Sequence, residues 1–269
     1  MDWSRAKTIL ILSFLLLDIF LAYQIISAQN RWIETEPQSE LIPSSFDELL
    51  KTRHITLKAD ISKDTPEMHY INIRFTSLSE YVQMLPDQRI ESNGNGVISV
   101  FPNPVPVSDS INQEDWLKNT QPYIAFLPGY VYDKERSTPT VRRYLQLNQV
   151  YPMFSAPLEI VVDHKKALGY RQIHMQVINQ GMGRKVISAY TALRTLLDNG
   201  YIRYGEEITG ISIGYYGHTY DADIQVLAPV WRVIHNGEVH YVNGITGAVE
   251  QAPPLEKNIN ISNNNDMTK

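Results

Sequence analysis

One apolar run near the N-terminus constrains this chain more than any other stretch. From Thr8 to Ile26 only Thr8, Ser13, Asp18 and Gln24 interrupt it. Roughly 20 such residues are needed for a helix to cross the hydrocarbon core, so residues 8–27 are read as a transmembrane helix in contact with the lipid bilayer. Arg5 and Lys7 precede the run, whereas Arg31 is followed closely by Glu34, Glu36 and Glu40. That asymmetry favours a cytoplasmic N-terminus at residues 1–7 and an extracytoplasmic main domain. Trp3, Tyr23 and Trp32 fall near the expected interfaces, where aromatic rings anchor well. A cleaved signal peptide fits less well. Ile26-Ser27-Ala28 puts a bulky residue at the outer cleavage position, and the run exceeds a usual signal core. An uncleaved anchor in the cell membrane is the expectation.

Asp18 sits in the middle of that run. In a helix it shares a face with Ile11, Phe14, Ala22 and Ile25. Placing an aspartate at the bilayer centre costs about 2.5–3.5 kcal/mol on insertion scales, so such a group usually faces protein or water. Ala22, one turn away, is small enough to let a second helix approach. These residues form the candidate partner-binding face. The plainer reading is a protonated or snorkelling aspartate in a tolerant anchor.

Beyond the anchor the chain reads as ordinary globular material. Of its 269 residues 43% are hydrophobic and 20% charged, with a net charge of −5. Its basic residues are scattered among acidic ones, so no nucleic-acid partner is expected. There is no cysteine, which excludes disulfides, thiolate metal sites and a thiol nucleophile. Residues 28–45, polar and carrying Pro37 and Pro43, read as a stalk.

A helix is predicted at Phe46–Thr52, N-capped by Ser44 or Ser45. Strands follow at His54–Ile61 and Tyr70–Thr76. Asn93-Gly94-Asn95-Gly96 marks a hairpin leading into Val97–Phe101. Pro102, Pro104 and Pro106 then predict an extended loop. Asp115–Asn119 reads as a helical turn and Tyr123–Tyr132 as an interrupted strand pair. Further strands are expected at Leu158–Val162, Arg171–Ile178 and Ile208–Tyr216. Between them lies a helix over Gly183–Leu197, closed by Asn199-Gly200. Val230–Ile234, Asn236-Gly237 and Val239–Val242 give the clearest hairpin. The expected fold class is therefore α+β. Two antiparallel-sheet-plus-helix lobes, 46–143 and 144–252, are followed by a flexible tail at 253–269.

The residues offer little chemistry. None of the seven histidines falls in a short zinc pattern. His218, Asp221 and Asp223 bunch possible ligands, but a polar loop accounts for them; His235 and His240 flank a turn and read as sheet-face decoration. There is no G-x-S-x-G elbow, and Gly181-Met182-Gly183 lacks a phosphate-loop spacing. Glu206 and Glu207 are adjacent, so in a strand they point to opposite faces and do not make a glycosidase pair. No catalytic residue, metal ligand or cofactor is assigned.

Four stretches resemble one family: MDWSRAKTILILSFLLLDIFLAYQ at the start, then GRKVISAYTALRTLLDNG, ISIGYY and LAPVWRVIHNGEVHYVNGITGAVE. They are similar to the YycI family of membrane-anchored regulators. The resemblance implies a bitopic, non-enzymatic protein that associates with a YycH-like protein and the sensor histidine kinase WalK (YycG) of the WalK/WalR two-component system. That kinase controls cell-wall metabolism. The closing hairpin also resembles PepSY-type modules, which keeps two alternatives open: an anchored inhibitor or binding module for an exported hydrolase, and a tethered cell-wall enzyme.

Overall fold

The computed structural model of the chain describes residues 3–33, 43–76, 85, 89–93, 96–107, 120–218 and 222–250. They fall into two compact units, Met1–Asp47 and Glu48–Lys269. The first carries helix α1 (Trp3–Ile33). No proline or glycine interrupts these residues, and good helix formers, Arg5, Ala6 and Lys7 before the expected 8–27 span and Ala28, Gln29 and Arg31 after it, carry the helix past both ends. Side chains in α1 are described only between Lys7 and Tyr23. Among the described residues no helix is long and apolar enough to cross a membrane. Helix α2 (Pro43–Thr52) starts earlier than expected. Proline's missing N–H costs nothing in a first turn, so Ser44 and Ser45 lie inside the helix rather than capping it.

The second unit opens with β1 (Thr56–Leu57), β2 (Glu67–Met68), β3 (Ile71–Phe75), β4 (Arg89–Asn93) and β5 (Gly96–Pro106). It continues through β6 (Tyr130–Tyr132), β7 (Val141–Asn148), β8 (Tyr151–Asp163), β9 (Lys166–Ile173), β10 (Met175–Gln180) and β11 (Arg184–Lys185). Helix α3 (Ala189–Asp198) precedes β12 (Glu207–Tyr216), β13 (Gln225–His235), β14 (Glu238–Asn243) and β15 (Val249–Glu250).

Among the described residues a 13-stranded sheet has the central order β10-β3-β13-β12-β8-β9-β5-β4, while β2 and β11 form a separate ribbon. The α+β class holds, but the expected pair of lobes is corrected. The division at 143/144 falls inside β7, and strands from either side of it pair: β3 lies between β10 and β13, and β5 lies against β9. Nor is the sheet wholly antiparallel, since β12 runs parallel to β1 and to β8.

Local differences have local causes. Pro102, Pro104 and Pro106 do not end β5. The ladder with β9 breaks between Val100 and Val105 and resumes, so the strand passes them as a bulge. The expected strand Arg171–Ile178 is two strands. It breaks at His174, where β9 leaves β5 and β8 and β10 joins β3. Helix α3 starts at Ala189 rather than Gly183, because Ser188 caps it by accepting from Thr191 N at 3.1 Å. Arg184 and Lys185 pair with β2 instead. The predicted turn at Asp115–Asn119 lies outside the described residues.

Helix α3 buries Ala189, Ala192, Leu193, Leu196 and Leu197 and lies on β13 and β14. Each fully buried leucine contributes about 1.5–3 kcal/mol. Trp231, on β13, is buried and donates from Nε1 to Ile187 O at 2.9 Å, fixing the approach to the helix. A larger cluster gathers Val97, Phe101, Leu158, Ile160 and Tyr170 from β5, β8 and β9. Another joins Ile71, Ile73, Met153, Met175 and Tyr215 from β3, β8, β10 and β12. Both draw on residues from each side of position 144.

Candidate functional site

The first candidate is the surface of α1. Large apolar side chains at 10–12, 14–17, 19–21 and 23 are all 44–68 % exposed. Monomeric soluble proteins rarely leave contiguous apolar surface of that extent uncovered. Ile11, Phe14, Asp18 and Ala22 are exposed and share one helical face. Ile25, the last residue expected there, belongs to α1, but its side chain lies outside the described residues.

The second unit holds an ionic chain across its sheet, buried at Arg232 and Asp133 and half-buried along Arg143, Glu159 and Arg171. Arg232 on β13 is 5 % exposed. Its guanidinium donates to both carboxylate oxygens of Asp133 at 2.7 and 3.0 Å, and to Glu135 at 2.7 Å. The guanidinium carbon lies 4.6 Å from the Phe154 ring centroid, a cation–π contact. Asp133 also lies 3.6 Å from Arg143 of β7. Arg143 pairs with Glu159 of β8, which lies 3.3 Å from Arg171 of β9. Burial works against the charge of Arg232, but Asp133 and Glu135 outweigh it and raise its pKa. Arginines and carboxylates alternate along this chain, so each buried charge has an opposite neighbour. Such an arrangement fixes β6, β7, β8, β9 and β13 relative to one another, and its carboxylates are committed to guanidinium groups.

This cluster was missed from sequence, although one signal was available: an arginine inside the apolar strand VWRV. Trp231 and Val233 face one side of β13 and are buried, yet Arg232 on the other side is buried too.

The histidines distribute differently from the sequence expectation. Asp221 lies outside the described residues. His218 Nε2 is 3.8 Å from Glu250 Oε2. His235 and His240, expected as sheet decoration, are instead stacked with ring centroids 4.9 Å apart. Burial holds His240 below the ordinary histidine pKa; His235 lowers it further, and Glu238 and Glu206 partly oppose them. His174 stacks on Phe126 at 4.1 Å and shares a 2.8 Å hydrogen bond with Thr76 Oγ1. Burial lowers its pKa as well.

Residues 36–245 match the family model described as YycI protein. The chain belongs to the YycI family. This is a family of regulatory proteins linked to two-component signalling. The YycI match takes in α2, α3 and the β13–β14 hairpin, while α1 precedes it. Among curated proteins there is no match. Among solved structures, an uncharacterized protein from Eubacterium rectale aligns at 10% identity, covering 74% of this chain and 91% of its own, with a TM-score of 0.46. The Bacillus megaterium YpeB C-terminal domain aligns at 11% identity, covering 68% of this chain and 100% of its own, with a TM-score of 0.34.

Proposed function

We propose that this chain is a non-enzymatic, membrane-anchored regulatory subunit. In this reading it acts with a YycH-like partner on the sensor histidine kinase WalK (YycG), which controls cell-wall metabolism. The carrying observation is the exposed apolar surface of α1, with Asp18 set into it, in a chain of a regulatory family. Helix α1 anchors the protein with its N-terminus in the cytoplasm, and the second unit is extracytoplasmic.

A bound helix shifts a kinase between output states only by binding one state better than the other. Packing through Ile11, Phe14, Ala22 and Ile25, with Asp18 hydrogen-bonding across the interface, supplies about 1–2 kcal/mol at most. That yields a several-fold change in population rather than an all-or-none switch. The rigid second unit supplies the surface for the YycH-like partner.

The test has two arms. Recovery of the tagged chain from membranes is expected to bring down the kinase or the YycH-like protein; recovery of neither sinks the proposal. In the second arm residues 1–30 are fused to an unrelated exported domain, and output of the kinase regulon is read. Partial activity is expected from the fusion. Asp18→Ala reduces its effect several-fold, and Asp18→Asn less, because the amide keeps a hydrogen-bonding group. Equal output from all three removes Asp18 from the interface.

A further inference from the structure

The β13–β14 hairpin gathers three side chains of metal-ligand type on one face. His235 lies opposite Glu238 and Val233 opposite His240 in the ladder. Residues directly opposite, or two apart on one strand, share a face. His235, Glu238 and His240 therefore project together. The register is set by Asn236 and Gly237, whose φ angles of 44° and 80° fit a two-residue turn of type I′. One ligand atom from each of the three residues lies within 4.8 Å of the others. Tyr201 leans on His240 with ring centroids 5.0 Å apart.

A second observation makes this more than a juxtaposition. His235 is 0 % exposed, yet its Nε2 has no hydrogen-bond partner among the described residues, and His240 Nε2 has only the Glu238 carboxylate, at 3.6 Å. Buried polar atoms in folded proteins are almost always paired. Glu206 Oε2 lies 2.8 Å from His235 Nδ1, so the unpartnered nitrogen of this ring is Nε2. A stacked pair of imidazoles beside two carboxylates is a costly way to fill space.

We infer that His235, Glu238 and His240 form a binding site for one divalent transition-metal ion of the zinc class, with Glu206 as the group that orients His235. Two imidazole nitrogens and a carboxylate suit zinc and its neighbours, whereas calcium and magnesium take oxygen ligands. Tetrahedral bonds of about 2.0–2.2 Å place donor atoms roughly 3.3 Å apart. The Glu238 side chain, 72 % exposed at the turn, rotates inward to close that gap. A carboxylate beside one imidazole nitrogen holds the proton there and leaves the other nitrogen to the metal, the usual outer support of such sites. The remaining position opens to solvent past Glu238. The ion ties the hairpin tip to the segment carrying Glu206, just before β12.

The test uses the untagged full-length chain in detergent, stripped with a chelator and titrated with Zn²⁺ and then Co²⁺. One ion per chain is expected, with tetrahedral Co²⁺ absorption bands and a rise in Tm on adding Zn²⁺. E238Q and H240Q each weaken Zn²⁺ binding by about 10-fold or more, while H164Q, at a 92 % exposed histidine on another turn, leaves it unchanged. Far-UV circular dichroism checks that E238Q is folded. The site is refuted if no ion binds at about 100 µM, if either E238Q or H240Q binds as well as the parent, or if H164Q loses binding to the same degree.

Discussion

Asp133 is a buried carboxylate held between two guanidinium groups. It receives two hydrogen bonds from Arg232 and stands beside Arg143. Its removal leaves the buried Arg232 and the half-buried Arg143 with reduced compensation, and breaking a buried pair from one side costs about 3–5 kcal/mol. Asp133→Ala is expected to lower the unfolding free energy by that amount in urea titration. Arg232→Met is expected to cost less, because Arg143 still faces Asp133 and the methionine fills the space above Phe154. Gly214 is sensitive for a steric reason. A Cβ there would lie 2.3 Å from Pro152 O and 2.8 Å from the Phe154 ring. The backbone oxygen cannot move aside without breaking the approach of β12 to β8. Gly214→Ala therefore costs about 1–3 kcal/mol or more through overpacking, read in the same titration.

At the scale of elements, α3 and the break at His174 give the measurable consequences. Ser188→Ala removes the cap of α3 and is expected to cost about 1 kcal/mol, measured by thermal unfolding. His174 joins β9 to β10, and burial holds its pKa below the ordinary 6.5. The folded state thus disfavours the charged ring. The associated stability is complete above the unfolded value and is lost as pH falls through the lower folded value. His174→Asn should flatten the fall in Tm between about pH 7 and pH 5, and an unchanged slope would show that this ring does not contribute. What was legible follows the same local logic. The β13–β14 hairpin could be read because Asn236-Gly237 names its own turn. Strand β5 could be read only to Phe101, since its proline bulge depends on the strand beside it. The hairpins turning at Gln149 and at His164-Lys165 place ordinary residues at positive φ, and nothing in those residue types announces that. Arg232 inside VWRV hints at a buried charge, but not at its partners, which lie 97 and 99 positions away.

For the molecule as a whole, pairing between distant segments decides how it unfolds. The sequence shows α1 and the α+β character directly, since both rest on local periodicity. It does not show that β3 pairs with β10 and β13, because such pairing leaves no mark within either segment. The compact unit from Glu48 onward has its ionic chain, its hydrophobic clusters and its central sheet all spanning position 144. Two independently stable lobes would melt separately. Interleaved strands with shared cores leave neither half enough buried surface to stand alone. Unfolding of residues 48–269 is thus expected as one transition, coincident by far-UV circular dichroism and by tryptophan fluorescence, where buried Trp231 reports on β13. Separate expression of residues 48–143 and 144–269 should give two chains without native-like dichroism. Mixing them should restore part of it, because the missing contacts are between them. Two resolved transitions, or a fragment that folds alone, would return the chain to a two-lobed design.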